Sequence, residues 1–405
     1  MKQFHDVVII GGGFVGTSLA IALEHSGLDV ALVECTRLGA LPPMFDQRHL
    51  ALSAATVNAL ERLGVMAKLH HFAAPVRKIF VTRSGDFGRV LLDARDFGRV
   101  SFGHVALAQD IGHALEARVS QLGQLTRYRP ARCIGIDPVA DGRRTIHLIC
   151  KDDQPLQLHS RLLVGCDGSQ SAVRTALRIG TDIVDYHQTL VVARVQASHR
   201  PDGTAWERFT PTGPTALLPR GDQQYGAIHC VDRLSVADLA AMEDTQWLKT
   251  LQAVVGSRVG RLLATGPRHF YPLVQSRALS CIAARTILMG NAAQTIHPIG
   301  AQGFNLGLRD ALTLAQLLQP GQRPPDPGGQ AIVTAYDDLR RPDREQTIAF
   351  SAGMARLTCR RGAVMHCLRS VGLMMVAHQS WLKAAIAGGA MGFRGHVPSL
   401  CQEIV

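Results

Sequence analysis

The stretch Asp6-Val-Val-Ile-Ile10-Gly11-Gly12-Gly13-Phe14-Val15-Gly16, followed after one helix length by Val30-Ala-Leu-Val-Glu34, decides the fold. The first apolar run is short and β-branched, as a strand buried on both faces should be. Gly11, Gly13 and Gly16 make G-x-G-x-x-G. The first permits a tight turn, the second lets backbone approach a pyrophosphate, and the third lets the helix pack close to the strand. The spacing predicts a helix over residues 15–26, ended by Gly27 as a C-cap, with its N-terminal amides and dipole aimed at the diphosphate. The second strand ends at Glu34, placed to accept hydrogen bonds from a ribose 2′-hydroxyl. That acid would repel a 2′-phosphate, so the site is read as one for FAD or NAD, not NADP.

Two further segments narrow the choice. In Arg161-Leu-Leu-Val-Gly165-Cys-Asp167-Gly168-Ser-Gln-Ser171-Ala-Val-Arg174, a hydrophobic strand runs into Asp-Gly and a helix starts near Ser171. In Thr286-Ile-Leu-Met-Gly290-Asn291-Ala-Ala-Gln294-Thr-Ile-His297-Pro298-Ile-Gly300-Ala301-Gln302-Gly303-Phe304-Asn305-Leu-Gly307-Leu-Arg309-Asp310, a strand leads through a glycine-rich loop into a helix reaching about Leu318. A helix N-terminus there would stabilise negative charge on a flat, electron-rich ring.

The glycine loop, Asp-Gly-x-x-Ser-x-Val-Arg, and Gly-Asn-Ala-Ala-Gln…His-Pro…Gln-Gly-x-Asn-x-Gly-x-x-Asp together resemble the FAD-dependent aromatic hydroxylases of ubiquinone biosynthesis. Within them the chain looks most like the branch acting on 2-octaprenyl-6-methoxyphenol. Asp46-Gln-Arg48-His-Leu-Ala-Leu-Ser53 fits that family's flavin-contacting loop, and Trp206-Glu-Arg-Phe-Thr-Pro-Thr-Gly213-Pro-Thr-Ala-Leu-Leu-Pro219 fits its substrate-domain sheet. The resemblance covers nearly the whole chain. It implies an α/β fold: a Rossmann-type FAD-binding domain, a β-sheet substrate domain and a C-terminal helical segment, as in class A flavoprotein monooxygenases. It implies FAD as cofactor and NAD(P)H as electron donor. Gly11, Gly13, Gly16 and Glu34 would hold the adenosine half, Arg48 would neutralise the diphosphate, and Asp167 and Gly168 would meet FAD phosphate and the nicotinamide cofactor. Gly290 and Asn291 would lie near the ribityl chain, and Pro298, Gly303, Phe304 and Asn305 at the isoalloxazine. Asn291 stands where relatives more often place Asp; an amide still donates and accepts but adds no charge. Gly300-Ala301 exchanges the family's two small residues; a positive φ at Ala301 would cost about 1 kcal/mol or more.

The implied reaction is hydroxylation of a polyprenylated phenol by O2, through a flavin C4a-hydroperoxide. The cofactor carries that chemistry while the protein binds, orients and excludes water. No nucleophile is expected, and the chain has no G-x-S-x-G, H-E-x-x-H or G-K-[ST]. A base that ionises the phenol would raise ring nucleophilicity. His297 is the candidate, against the plainer reading that it only holds its loop. His229 faces the substrate cavity or, on the plainer reading, is a solvent-facing or satisfied core histidine. His70-His71 reads as a polar helix end, and no metal site is expected. The alternatives are a hydroxylase of a small soluble aromatic acid, a flavin-dependent halogenase or reductase, and a non-catalytic scaffold of a quinone-biosynthesis complex.

Composition sets the outer bounds. The chain has 405 residues, 46% of them hydrophobic and 19% charged, which excludes disorder and allows roughly two domains. Lys and Arg number 43 against 32 Asp and Glu, a net charge of +11. No block of like charges suggests a nucleic-acid arm, so nucleic acid is not an expected partner. Nine scattered cysteines with no Cys-x-x-Cys suggest reduced thiols and a cytoplasmic setting. The chain starts directly in a strand, so no signal peptide is expected, and no apolar run reaches the ~18 residues needed to span a bilayer.

The FAD domain is expected over residues 1–70, 100–180 and 275–345. The substrate sheet is expected over 71–99 and 181–274, with strands near 77–83, 88–92, 190–195, 206–210, 215–219 and 225–231 and a covering helix over 236–255. Residues 320–329 read as a connection, and 346–405 as helical. The apolar and arginine-rich C-terminal helices suggest peripheral contact with the inner membrane face, where a polyprenyl substrate resides. Other ubiquinone-biosynthesis proteins are possible partners.

Overall fold

The computed structural model describes residues 3–69, 73–321, 326–360 and 362–403. His70 and His71 lie outside these residues, as does part of the 320–329 connection.

Five parallel strands form the spine of an eight-stranded sheet, in the order Thr286–Leu288, Pro155–Gly165, Phe4–Ile10, Val30–Val33 and Thr126–Tyr128. Val7, Val8 and Ile9 are fully buried, which is why the run reads as continuously apolar. The strand Pro155–Gly165 also pairs antiparallel with Arg144–Cys150, which carries Ala131–Ile136 at its edge. A nine-stranded sheet comprises Lys78–Arg83, Arg89–Asp93, Thr181–Ala197, Thr204–Thr210, Gly213–Pro219, Tyr225–Asp232, Leu262–Thr265, His269–Ala278 and Gln294–Thr295. It contains strands at each of the six expected positions, but His269–Ala278 crosses the expected 274/275 division and Gln294–Thr295 lies beyond it. A small third sheet joins His49–Ser53, Gly103–Leu107 and Ala74–Pro75.

Several expectations are corrected. The first helix is Phe14–Ala22, shorter than 15–26, and Gly27 at φ +69° serves the turn into the second strand, not a helix cap. Leu23 already closes the helix because turns take over at Glu24 and Ser26. The covering helix is two helices, Val236–Ala241 and Asp244–Val255, since Met242 is extended (ψ 138°). His49–Ser53 is a strand, not a loop: its register with Gly103–Leu107, which no local pattern reveals, supplies its hydrogen bonds. The helix expected after the connection is Gln330–Cys359, so the division at 345/346 falls inside it. Its exposed Pro342 leaves one helical amide out.

Helices Ala363–His378 and Ser380–Ala390 follow as a hairpin against the strand Arg89–Asp93, ahead of a short helical turn at Ser399–Cys401. Among the described residues no helix is long and apolar enough to cross a membrane, and all nine cysteines are free.

Candidate functional site

The site gathers where the parallel strands end. Ile10 leads to Gly11, Val33 to Glu34, Gly165 to Asp167, and Leu288 to Gly290. Loops leaving the carboxyl ends of parallel strands are where such sheets bind ligands.

Close backbone approach explains the glycines. Gly11 has φ +107°, and a Cβ there would sit 2.5 Å from the carbonyl oxygen of Cys166. A Cβ on Gly16 would strike the carbonyl oxygen of Gly11 at 2.0 Å. Cβ atoms on Gly290 and Gly307 would meet Val15 Cγ2 at 2.9 and 2.7 Å, so those two glycines let the helix Gln302–Leu317 seat against Phe14–Ala22. Gly307 stood in the sequence motif without a role; its role is helix packing. Gly13 N-caps the first helix with no side-chain cap, leaving first-turn amides for an anion. The thioether of Met44 lies over Gly13. Glu34 is buried and accepts from the amides of Gly12 and Thr36, both at 2.7 Å.

The other segments are tied to this turn by named bonds. Arg174 donates to the carbonyls of Ala292 (2.8 Å) and Ser169 (2.6 Å), joining the Asp-Gly segment to the Gly290 loop. Asp167 accepts from Ser171 Oγ and the Val173 amide, so in this structure it caps the helix Ala172–Ala176. Gly168 has φ +84° and open space around it. Asn291 is exposed on the loop. Arg48 pairs with Asp46 at 2.9 Å and stacks over the Tyr271 ring at 5.1 Å.

The loop before Gln302–Leu317, the second helix of the site, adopts the strained form its sequence suggested. Gly300 (φ +76°) and Ala301 (φ +51°, ψ 37°) are both left-handed, a cost of roughly 1–2 kcal/mol at the alanine. Asn305 holds the loop in place. Its amide donates to Ala51 O (2.9 Å) and Ala301 O (2.8 Å), and its oxygen accepts from Ser53 N (3.0 Å). Its polar atoms thus stitch the loop to the strand His49–Ser53. Phe304 packs on Phe14 at 5.1 Å, Pro298 O closes a turn onto Ala301 N, and Gly303 borders open space.

His297 has the loop-holding geometry. It is 2% exposed, its Nδ1 accepts from Ile299 N at 3.3 Å, its Nε2 lies 3.4 Å from Gln188 Oε1, and its carbonyl accepts from Ser351 Oγ. Burial pushes its imidazole down to about 4, so it is a weak base. His229 faces the covering helices, beside Trp247 and bonded to Thr215. It is not in the cavity.

The nine-stranded sheet turns its other face to these loops. One row across it reads Val81, Glu207, Ala216, Ile228, Val192. The row above packs Ala205 and Leu218 against Ala51 and Val105 of the small sheet. The row below packs Phe209 against Ile299, Met354 and Ala355. The middle row therefore looks into the gap between the strand His49–Ser53 and the loop Pro298 to Ala301. Its outer end opens to a cavity of about 330 Å³ lined by Gln47, His49, Val192, Arg194, Arg220 and His269. These rows hold one carboxylate. They hold two arginines at opposite ends: Arg83, in the row below, is engaged with the Thr358 carbonyl and Asp86, and Arg194, in the row above, lines the cavity.

A buried ionic network, which the sequence reading missed, braces the second helix from behind. Arg340 bonds Asp310 and Asp343, both at 2.7 Å; Arg309 bonds Asp343 at 2.9 Å; Gln294 donates to Asp310.

The residues present fit FAD: a glycine cradle, an uncapped helix N-terminus and an acid at the second strand end. Fold and site together define an FAD-dependent flavoprotein monooxygenase. The chain belongs to the FAD binding domain family, which it matches over residues 5–351. It is 31% identical over 389 residues to the ubiquinone hydroxylase UbiL of Rhodospirillum rubrum, covering 96% of this chain and 89% of that protein. It is 30% identical over 329 residues to the 3-demethoxyubiquinol 3-hydroxylase of Escherichia coli, covering 78% of this chain and 80% of that one. The fold superposes on the p-nitrophenol 4-monooxygenase PnpA of Pseudomonas putida with a TM-score of 0.80 at 17% identity, over 98% of this chain and all of the other. FAD is its cofactor and NAD(P)H its electron donor.

Proposed function

We propose that this enzyme hydroxylates a polyprenylated phenol of ubiquinone biosynthesis, of the 2-octaprenyl-6-methoxyphenol type. Bound FAD supplies the reduction of O2. The glycine turn and Glu34 hold the dinucleotide, Arg48 balances its phosphates, and the Gly300-Ala301 turn with Asn305 sets the face presented to substrate. The sheet excludes water.

The observation that carries the substrate class is the composition of the inner sheet face. The row facing the gap is apolar except for Glu207, and the arginines of the flanking rows stand at opposite ends, Arg83 engaged and Arg194 at the outer cavity, so a neutral phenol suits this row better than an aromatic acid, which needs a cation beside it. Support for a membrane-resident substrate comes from the C-terminal hairpin. Val364, Leu368, Val371, Met375 and Trp381 are all more than half exposed. Residues 346–402 contain no Asp or Glu, but hold Arg356, Arg360, Arg361, Lys383 and Arg394, besides Arg369, which is buried against Asp86. An apolar face with this charge suits an anionic inner-membrane surface.

The test is product formation from a prenylated methoxyphenol and from a hydroxybenzoic acid, with NAD(P)H and O2. Product from the acid alone overturns the reading. Loss of FAD in Gly13→Asp with quinone production intact in cells would favour the scaffold instead. Sedimentation with phosphatidylglycerol vesicles, and not with phosphatidylcholine vesicles, tests the membrane face.

A further inference from the structure

Glu207 stood in the sequence motif without a role, and no bond described above employs it. The sheet register places it opposite Val81 on one side and Ala216 on the other. Trp206 and Arg208, its neighbours along the strand, belong to the opposite face: Trp206 packs on Phe80 and Arg208 approaches Gly256. Ala205 and Phe209 mark the inner face, one against the small sheet and the other against Ile299. Glu207 lies between them and so points into the gap beside the Pro298 loop. The methyl of Ala216 leaves room next to it.

The carboxyl group has no hydrogen-bond or ion-pair partner among the described residues. Burial alone pushes it up to about 7. The residue nevertheless keeps part of its surface accessible. A side chain deep in the protein that still has open surface borders an internal space. Arg194 of the row above stands three strands away, in the lining of the outer cavity, and the nearer titratable groups are engaged elsewhere. Arg83 is held by Asp86 and the Thr358 carbonyl, Tyr186 donates to Gln275, His297 caps its own loop, and His49 accepts from Arg220. Cys230, in the row below, is a buried thiol that burial pushes up to about 12, so it stays neutral. An unpaired carboxyl in such a place costs stability and calls for a ligand that satisfies it.

We propose that Glu207 is the catalytic base of the substrate cavity, taking the hydroxyl proton of the phenol. This rests on the phenolic substrate class proposed above. The phenol O–H bond breaks and an O–H bond forms on the Glu207 carboxylate. The electron pair left on oxygen delocalises into the ring and enriches the carbons to be hydroxylated. The hydroxylated ring carbon then loses its own proton to water, the C–H electron pair restores aromaticity, and the phenol oxygen takes the proton back from Glu207, which returns to carboxylate. A carboxyl that ionises near neutral pH is matched to this task.

The experiment is the pH profile of kcat/KM for product formation, in the FAD-loaded enzyme, with a short-chain prenylated methoxyphenol. Wild type, Glu207→Gln and Glu207→Asp are compared. Gln keeps the shape and removes a buried charge, so folding is preserved; FAD absorbance and melting confirm it. Wild-type kcat/KM falls about tenfold per pH unit below ~7. Glu207→Gln loses about 10²–10⁴-fold at pH 7, and its activity climbs only toward the phenol's own ionisation near ~10. Glu207→Asp keeps the limb near neutral pH at reduced rate. The proposal is overturned if Glu207→Gln stays within about threefold of wild type, or if it slows equally at every pH with the limb near 7 unmoved. Wild type that turns over no phenol at all removes the substrate reading instead.

Discussion

Arg340→Met tests whether the buried ionic network holds the second helix in its place behind the flavin loops. Arg340 is fully buried, and its guanidinium contacts both Asp310 and Asp343 at 2.7 Å. Burial by itself would raise the Asp343 carboxyl, but Arg309 and Arg340 hold it below the ordinary range. Without Arg340, Asp343 keeps Arg309, whereas among the described residues Asp310 keeps the Gln294 amide at 3.1 Å as its one side-chain bond. Leaving a buried carboxylate without its cation costs about 3–5 kcal/mol. A chain of this length unfolds with an entropy near ~0.85 kcal/mol per degree, so the melting temperature should fall by about 4–6 °C. Adding Asp310→Asn removes the stranded charge, and the double variant should regain at least half of the loss. Melting of the FAD-loaded protein by circular dichroism reads both numbers. A single variant that melts within about 1 °C of wild type, or a double variant worse than the single, refutes the reasoning.

Gly307→Ala places a methyl 2.7 Å from Val15 Cγ2 and 3.3 Å from Gly290 Cα; it should destabilise by about 1–3 kcal/mol and weaken FAD retention on dilution, measured by flavin fluorescence. Burial pushes His297 and His229 down to about 4 and His49 to about 3. These imidazoles stay neutral in the folded chain while the unfolded chain takes up protons below ~6.5, so stability should fall as pH drops from ~6.5 to ~4. His229→Gln should flatten that slope in urea midpoints; an unchanged slope would remove His229 from the account. Ala301→Gly relieves about 1–2 kcal/mol of left-handed strain but adds about 0.4–1 kcal/mol of unfolded-state freedom. Its melting temperature should shift upward by no more than about 2 °C.

The nucleotide turn was legible because its constraints are local. Gly11, Gly13 and Gly16 act within a few residues of one another, and strand, turn and helix follow directly in the sequence. The left-handed backbone at Ala301 was legible for the same reason. What escaped depends on partners far along the chain. His49–Ser53 becomes a strand only through Gly103–Leu107. Arg309, Asp310, Arg340 and Asp343 are four ordinary helix charges until two helices cross and bury them. Glu207 alternates with Trp206 and Arg208 on a strand that carries both apolar and charged residues on each face, so periodicity alone could not say which face meets the cavity.

The helix Gln330–Cys359 meets three parts of the molecule along one 30-residue span. Near its start it carries Arg340 and Asp343 of the ionic network; further on, Ser351 grips the carbonyl of His297; near its end, Met354 and Ala355 wall the gap beneath Phe209. The apolar hairpin follows directly. Ionic network, His297 loop and the wall of the gap thus share a single strut, so a tilt of this one helix would shift all three together.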